Sequence, residues 1–214
     1  MAPASSRAKR TSWGLLGGVF AVLLVMGAWL IVPILTSSPQ GQSGQPLEVE
    51  GFPISVTALG DDGRERTLSV AIENTDRGLD QLLPGDRITV SAKGYDASSG
   101  VYVALCKVPD DLGVKPGPCL GGVGAMDEQD DVVADVVEYA PSNWINDDWA
   151  WRLFGSRSFD DREAGTFTAF IEVPEAADEN VDCRAVPCGL YTRNDHTALE
   201  DRVQDLYVPI AFGE

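Results

Sequence analysis

The stretch ISVTALGDDGRERTLSVAI, residues 54–72, decides the fold. From Ile54 to Leu59 apolar and polar side chains alternate, Asp61-Asp62-Gly63 supplies a turn, and Thr67 to Ile72 alternates again. A period of two sends successive side chains to opposite faces, so the pattern is that of a hairpin with one buried face. The reading extends C-terminally. Pro84-Gly85-Asp86 turns into a run at 88–92, and Gly94 with residues 96–100 turns into a run at 101–105. Later alternating runs lie at 166–173, 189–192 and 205–212. Short runs separated by turns, with no long amphipathic helix and no fixed repeat, predict an all-β antiparallel sandwich of about seven strands.

Working N-terminally, residues 36–46 (TSSPQGQSGQP) are small, polar and rich in Gly and Pro, the composition of a flexible stalk. Before them, Trp13 to Leu35 form 23 residues without a charge. A helix of about 20 apolar residues crosses the ~30 Å hydrocarbon layer, so residues 13–35 are expected to be a transmembrane helix retained as a signal-anchor. A cleaved leader has a shorter apolar core of about 7–15 residues, and no cysteine follows that would carry a lipid. Arg7, Lys9 and Arg10 precede the span and no basic residue follows until Arg64. The positive-inside rule then puts residues 1–12 in the cytoplasm and the rest outside, as a single-pass membrane protein whose first partner is the lipid bilayer. Gly14 and Gly18 make one GxxxG spacing, common in such helices.

The charge follows the same division. The whole chain carries 33 acidic and 16 basic groups, a net −17, of which residues 1–36 contribute +3 and the remainder −20. A domain this acidic repels phosphates, which excludes DNA and RNA as partners, and it repels an anionic lipid surface equally. The four cysteines, Cys106, Cys119, Cys183 and Cys188, all lie in this exported part. An even count in an oxidising compartment reads as two disulfides with three possible pairings, the local one (106 with 119, 183 with 188) being the simplest. Neither the C-x12-C nor the C-x4-C spacing is that of a zinc knuckle.

One region breaks the strand pattern. Residues 125–163 hold 11 acids and three arginines, with Tyr139, Trp144, Trp149, Trp151, Phe154 and Phe159 among them. This is the signature of a long excursion on a sandwich, where function tends to lie.

The exported part resembles the neocarzinostatin family of actinobacterial secreted proteins over roughly residues 67–213. The resemblance rests on Gly94-Tyr95, the strand ending in Cys106, the loop to Cys119, and Gly165-Thr166-Phe167-Thr168. It is completed by Asp182-Cys183-x4-Cys188 and the last strand, ending Val208-Pro-Ile-Ala-Phe212. GVYVALC at 100–106, PCLGG at 118–122, Asp195-His196-Thr197 and residues 201–205 also resemble membrane-anchored actinobacterial envelope relatives. The resemblance implies an immunoglobulin-like sandwich with two local disulfides. Its best-known members hold an apolar enediyne chromophore in a cleft. This chain departs from that pattern by its anchor, its extra N-terminal hairpin, its C-x12-C loop and its acidic insertion, and no cleft-lining position carries over.

Candidate chemistry is sparse. His196 is the only histidine, with Asp195 and Asp201 nearby and Ser156, Ser158 or Thr197 as nominal nucleophiles, but there is no G-x-S-x-G elbow. The alternative is a turn capped by Asp195 and Thr197. No catalytic residue and no cofactor is assigned, and the chain is not expected to be an enzyme. Calcium candidates are Asp127/Glu128/Asp130/Asp131, Asn146/Asp147/Asp148 and Asp160/Asp161; none matches a calcium-loop pattern, and no metal site is assigned. Trp144, Trp149, Trp151 and Phe154 are the candidate binding residues. They form either a platform for a partner protein or small apolar ligand, or an anchor that buries into the sandwich. On a strand, Trp149 and Trp151 would share a face without Trp144. The leading expectation is a membrane-anchored binding module of the cell envelope, with a small-molecule carrier as the alternative. A cleft of about 300 Å3 or more supports the carrier. Exposed Trp144 or Trp149 beside a filled cleft supports protein recognition.

Overall fold

The turn at Asp61-Asp62-Gly63 closes as expected. Gly63 takes φ 76°, where a side chain is strained, and donates its backbone N–H to the Gly60 carbonyl at 2.9 Å. It joins β1 (Ser55–Leu59) to β2 (Glu65–Ile72) in an antiparallel pair with Val56 opposite Leu68 and Ala58 opposite Arg66. The computed structural model describes residues 18–28, 31–32, 35, 38–74, 76–121 and 138–213. The chain divides into two units, one ending at Ser37 and one running from Ser38 to Glu214.

In the first unit, residues 18–28 are helical and Val19, Phe20, Leu23 and Val25 are exposed. Much of the expected span, including 13–17, 29–30 and 33–34, lies outside the described residues. Among the described residues no helix is long and apolar enough to cross a membrane.

The second unit is built from two four-stranded antiparallel sheets. After the hairpin come β3 (Arg87–Lys93), β4 (Val101–Lys107), β5 (Ser142–Ile145), β6 (Phe167–Glu172), β7 (Cys188–Asn194) and β8 (Tyr207–Ile210). One sheet has the order β1-β2-β3-β6 and the other β5-β4-β7-β8. Seven strands match the expected runs to within a few residues at each end. The eighth, β5, lies inside the acidic insertion, where the sequence reading placed no strand.

The alternation explains the core. Leu68 and Val70 of β2, Ile88 and Val90 of β3, and Phe167, Ala169 and Ile171 of β6 point inward from one sheet. They meet Val101, Val103 and Leu105 of β4, Leu190 of β7 and Val208 of β8 from the other. A charged side chain, Arg66, is also fully buried at the start of β2, where Asp62 takes its guanidinium at 2.9 Å.

Strands β4 and β7 are buried on both faces, which simple alternation does not predict. Their outer side carries Ala104, Cys106 and Tyr191 into a second cluster with Tyr207 of β8, against which Val49 and Val108 pack. Two segments make that cover. One is the loop closed by Cys106–Cys119. The other is the segment read as a flexible stalk, and from Gln40 onward that reading needs correction.

The Gln40 backbone N–H donates to Asp201 at 3.1 Å, and Gln42 bridges to Arg202. The buried Gln45 amide pairs with both backbone groups of Tyr207, accepting from its N–H and donating to its carbonyl, each at 2.7 Å. A polar Gly/Pro-rich segment docks here because its glutamine supplies an amide that mimics a neighbouring strand. Cys183–Cys188 is the second disulfide, so both pairings are local.

Candidate functional site

Strand β5 pairs with β4 and β4 with β7 in a register that sets Trp144 opposite Tyr102 and Tyr102 opposite Arg193. These three form a row on the outer face of the second sheet. His196, just past β7, completes it: its Nδ1 is hydrogen-bonded to the Tyr102 hydroxyl at 3.0 Å. The imidazole meets the Trp144 ring at 5.3 Å and the Trp151 ring at 4.7 Å, both edge-on. Trp144 and Trp151 are 5.7 Å apart, and Phe154 extends the cluster at 6.3 Å from Trp151. Edge-to-face packing of this kind stabilises each pair beyond its buried area.

Asp195 is the pin that holds the row. It is fully buried, and its Oδ2 accepts from Trp144 Nε1 and Asn146 Nδ2, each at 2.8 Å. Its Oδ1 accepts from the Thr197 backbone N–H at 2.8 Å and from the Thr197 hydroxyl. A buried carboxylate is tolerated because donors surround it. Gly100 is required beneath it, since a Cβ there would come within 1.8 Å of Asp195 Oδ2. Tyr102 is pushed up to about 12 by burial first and by the Asp195 charge second, so it stays a neutral hydroxyl beside His196.

Trp149 and Trp151 do not share a strand face. They sit on a single helical turn, Trp149–Arg152, capped by Asp148, whose side chain accepts from the Ala150 N–H. Two residues along a helix turn the direction by about 200°, so one ring points inward and the other outward. Trp151 joins Trp144 and His196, while Trp149 is 55% exposed. Leu153 at 72% and Phe154 at 53% exposed lie beside it in sequence, three large apolar side chains within six positions. Thus the four candidate aromatics split: Trp144 and Trp151 build a half-buried cluster, and Trp149 and Phe154 present apolar surface from the same turn.

Members of the nominal triad have other partners. The Asp195 carboxylate serves Trp144, Asn146 and Thr197, the His196 Nδ1 serves Tyr102, and Ser156 donates to the Asn146 carbonyl at 3.0 Å. The turn-capping alternative describes Asp195 and Thr197.

The calcium candidates divide likewise. Asp127, Glu128, Asp130 and Asp131 lie outside the described residues. Asp147 accepts from the Phe159 N–H and pairs with Arg162 at 3.2 Å, and Asp161 accepts from the Glu163 N–H at 2.8 Å. Among the described residues no group of three or more metal-ligating side chains converges.

A second concavity was not foreseen. The arm at 47–52 and strand β8, with the proline-bearing segments at Val108 and Pro187, bound a groove of about 930 Å3. Val49, Phe52, Val186, Pro209 and Ile210 supply its apolar wall. Sequence reasoning did not single out Tyr102, the pinning role of Asp195 or the groove wall. Tyr102 had a signal, the alternation Val101-Tyr102-Val103, which turns it away from the core. Comparison of the chain with protein-family models, with curated proteins and with solved structures finds no match.

Proposed function

We propose that this chain is a membrane-anchored, non-catalytic recognition domain of the cell envelope, tethered by residues 13–35 and displaying the aromatic surface around His196 to a partner. The observation that carries the reading is the turn Trp149–Arg152 with its flank. It presents Trp149, Leu153 and Phe154 to solvent while Trp151, Trp144 and Tyr102 hold the turn against the sheet. Exposed apolar residues grouped on a rigid support, with a polar rim, are what interface hot spots look like. Asp147 and Asp148 stand directly before Trp149 in the chain. The uncharged run at 13–35 after Arg7, Lys9 and Arg10 supports the anchor and its orientation. An immunoglobulin-like sandwich related to the neocarzinostatin family accords with two four-stranded antiparallel sheets and two local disulfides.

The test uses full-length chain in membranes, wild type against a Trp149→Ala/Leu153→Ala/Phe154→Ala variant. All three side chains are more than half exposed, so the variant should stay folded with its melting temperature lowered by no more than about 5 °C. Cross-linking in envelope preparations is expected to yield a defined adduct with the wild type, reduced at least about tenfold in the variant. An adduct of equal yield in both removes the aromatic surface from the reading.

The groove favours a second reading, a carrier of a small apolar molecule. Its 930 Å3 falls within the usual range for ligand pockets of about 300–1,000 Å3.

A further inference from the structure

The groove beside β8 has a chemistry that the rest of the surface does not explain, and its character rests on the carrier reading given above. Its walls are apolar: Val49 and Phe52 on the arm, Val186 and Pro187 in the disulfide loop, Pro209 and Ile210 on β8. Phe52 is 45% exposed on the rim. The charged residues that line it are Glu48, Glu50 and Asp110, and no lysine or arginine lines it. Asp110 lies 3.6 Å from Lys107, so its charge is partly met. Glu48 and Glu50 are both exposed on the arm, on either side of Val49.

From these we infer that the groove binds an organic cation with an apolar body, seating the body on Phe52, Val186 and Pro209 and the cationic head against Glu48 and Glu50. Three physical arguments converge. An apolar concavity gains free energy by shedding water from an apolar ligand. A ligand with an anionic group is rejected by the two glutamates and by the overall −20 of residues 37–214. A cation is attracted by the same charges.

The Gln45–Tyr207 pairing makes the site possible. It fastens the start of the arm to β8, and the Tyr207 hydroxyl donates to the Leu47 carbonyl. Pro209 then leaves no N–H at the next outward position of the strand, so the arm does not continue as a ninth strand. The groove lies between the arm and β8.

The experiment titrates full-length chain in an uncharged detergent with two probes of one skeleton. One is 2-naphthylmethyl-trimethylammonium, a permanent cation; the other is neutral 2-naphthalenemethanol. Heats from protein-free micelles are subtracted. The cation is expected to bind about tenfold more tightly than the alcohol at low salt, with the preference shrinking as salt rises. A Glu48→Gln/Glu50→Gln variant should bind both probes alike, at the affinity of the alcohol. A Phe52→Ala/Val186→Ala variant should weaken both. Equal binding of the two probes by the wild type overturns the charge inference and leaves the carrier reading standing. Binding of neither probe overturns both. An unchanged preference in the Glu48→Gln/Glu50→Gln variant places the cation elsewhere and overturns the site.

Discussion

At the scale of single residues, two aspartates set opposite pH dependences. Asp62 is held below its usual range, first by its hydrogen bonds to the buried Arg66. A lowered carboxylate stabilises the fold at neutral pH, and that contribution is lost as pH falls through and below about 4. Asp205 behaves the other way. Its carboxyl is pushed up to about 7 because burial outweighs Arg202, although the two are only 3.0 Å apart. Arg193 also lowers it and Asp201 raises it. One carboxylate oxygen, Oδ1, is buried without a hydrogen-bond partner, which agrees with a cost for ionising it. Between about 4 and the folded value near 7, the folded chain holds a proton that the unfolded chain has released, so this group's contribution declines as pH rises. The stability of the wild type relative to Asp205→Asn is therefore expected to shrink from pH 4 to pH 7 and then level off. Urea melts at intervals across that window measure it, and parallel curves would show that Asp205 titrates normally.

At the scale of elements, the two disulfides do different jobs. Cys106–Cys119 closes a separation of 13 residues and fastens the loop that covers β4 and β7. Cys183–Cys188 closes only 5. On loop-closure entropy the first contributes about 3 kcal/mol and the second about 2 kcal/mol. The first also secures packing: Arg193 donates to the Pro116 carbonyl within that loop at 2.6 Å, and Leu120 is fully buried. Replacing Cys106 and Cys119 by alanine is expected to cost more in a denaturant melt than replacing Cys183 and Cys188. The opposite order would mean that the loop does not cover the sheet in solution.

Elements also show how far local patterns reach. The hairpin β1–β2 was legible because its alternation and its Asp-Asp-Gly turn sit within one short window. Strand β5 was not legible. Its sequence, Ser-Asn-Trp-Ile, has one residue pair per face and neighbours that are charged and aromatic, too little for a period to register. The turn at Trp149–Arg152 was misread for a related reason, since two tryptophans two apart fit a strand as readily as a helical turn capped by Asp148.

At the scale of the whole molecule, the net −17 divides into +3 on residues 1–36 and −20 on the remainder. If residues 13–35 anchor the chain, full-length protein should remain with membranes after an alkaline carbonate wash. A chain beginning at Ser38 should partition to the soluble fraction, since the core and both disulfides lie beyond that residue. Release of the full-length chain by the wash would refute the anchor. The acidity also takes on a location: Glu48 and Glu50 border the apolar groove, and Asp147 and Asp148 flank the exposed Trp149.

What the sequence by itself determined was whatever short windows encode. Seven strands, their turns, the local cysteine spacings and the partition of charge follow from backbone preference and side-chain alternation, which act between neighbours. Only the tertiary structure decided which side chains meet. The β4–β5 register brings Trp144 to Tyr102, the end of β7 delivers Asp195 and His196 to both, and Gln45 finds the edge of β8. Such contacts depend on strand pairing between segments far apart in the chain, where the free energy of a shared core selects one register among many that local alternation allows equally.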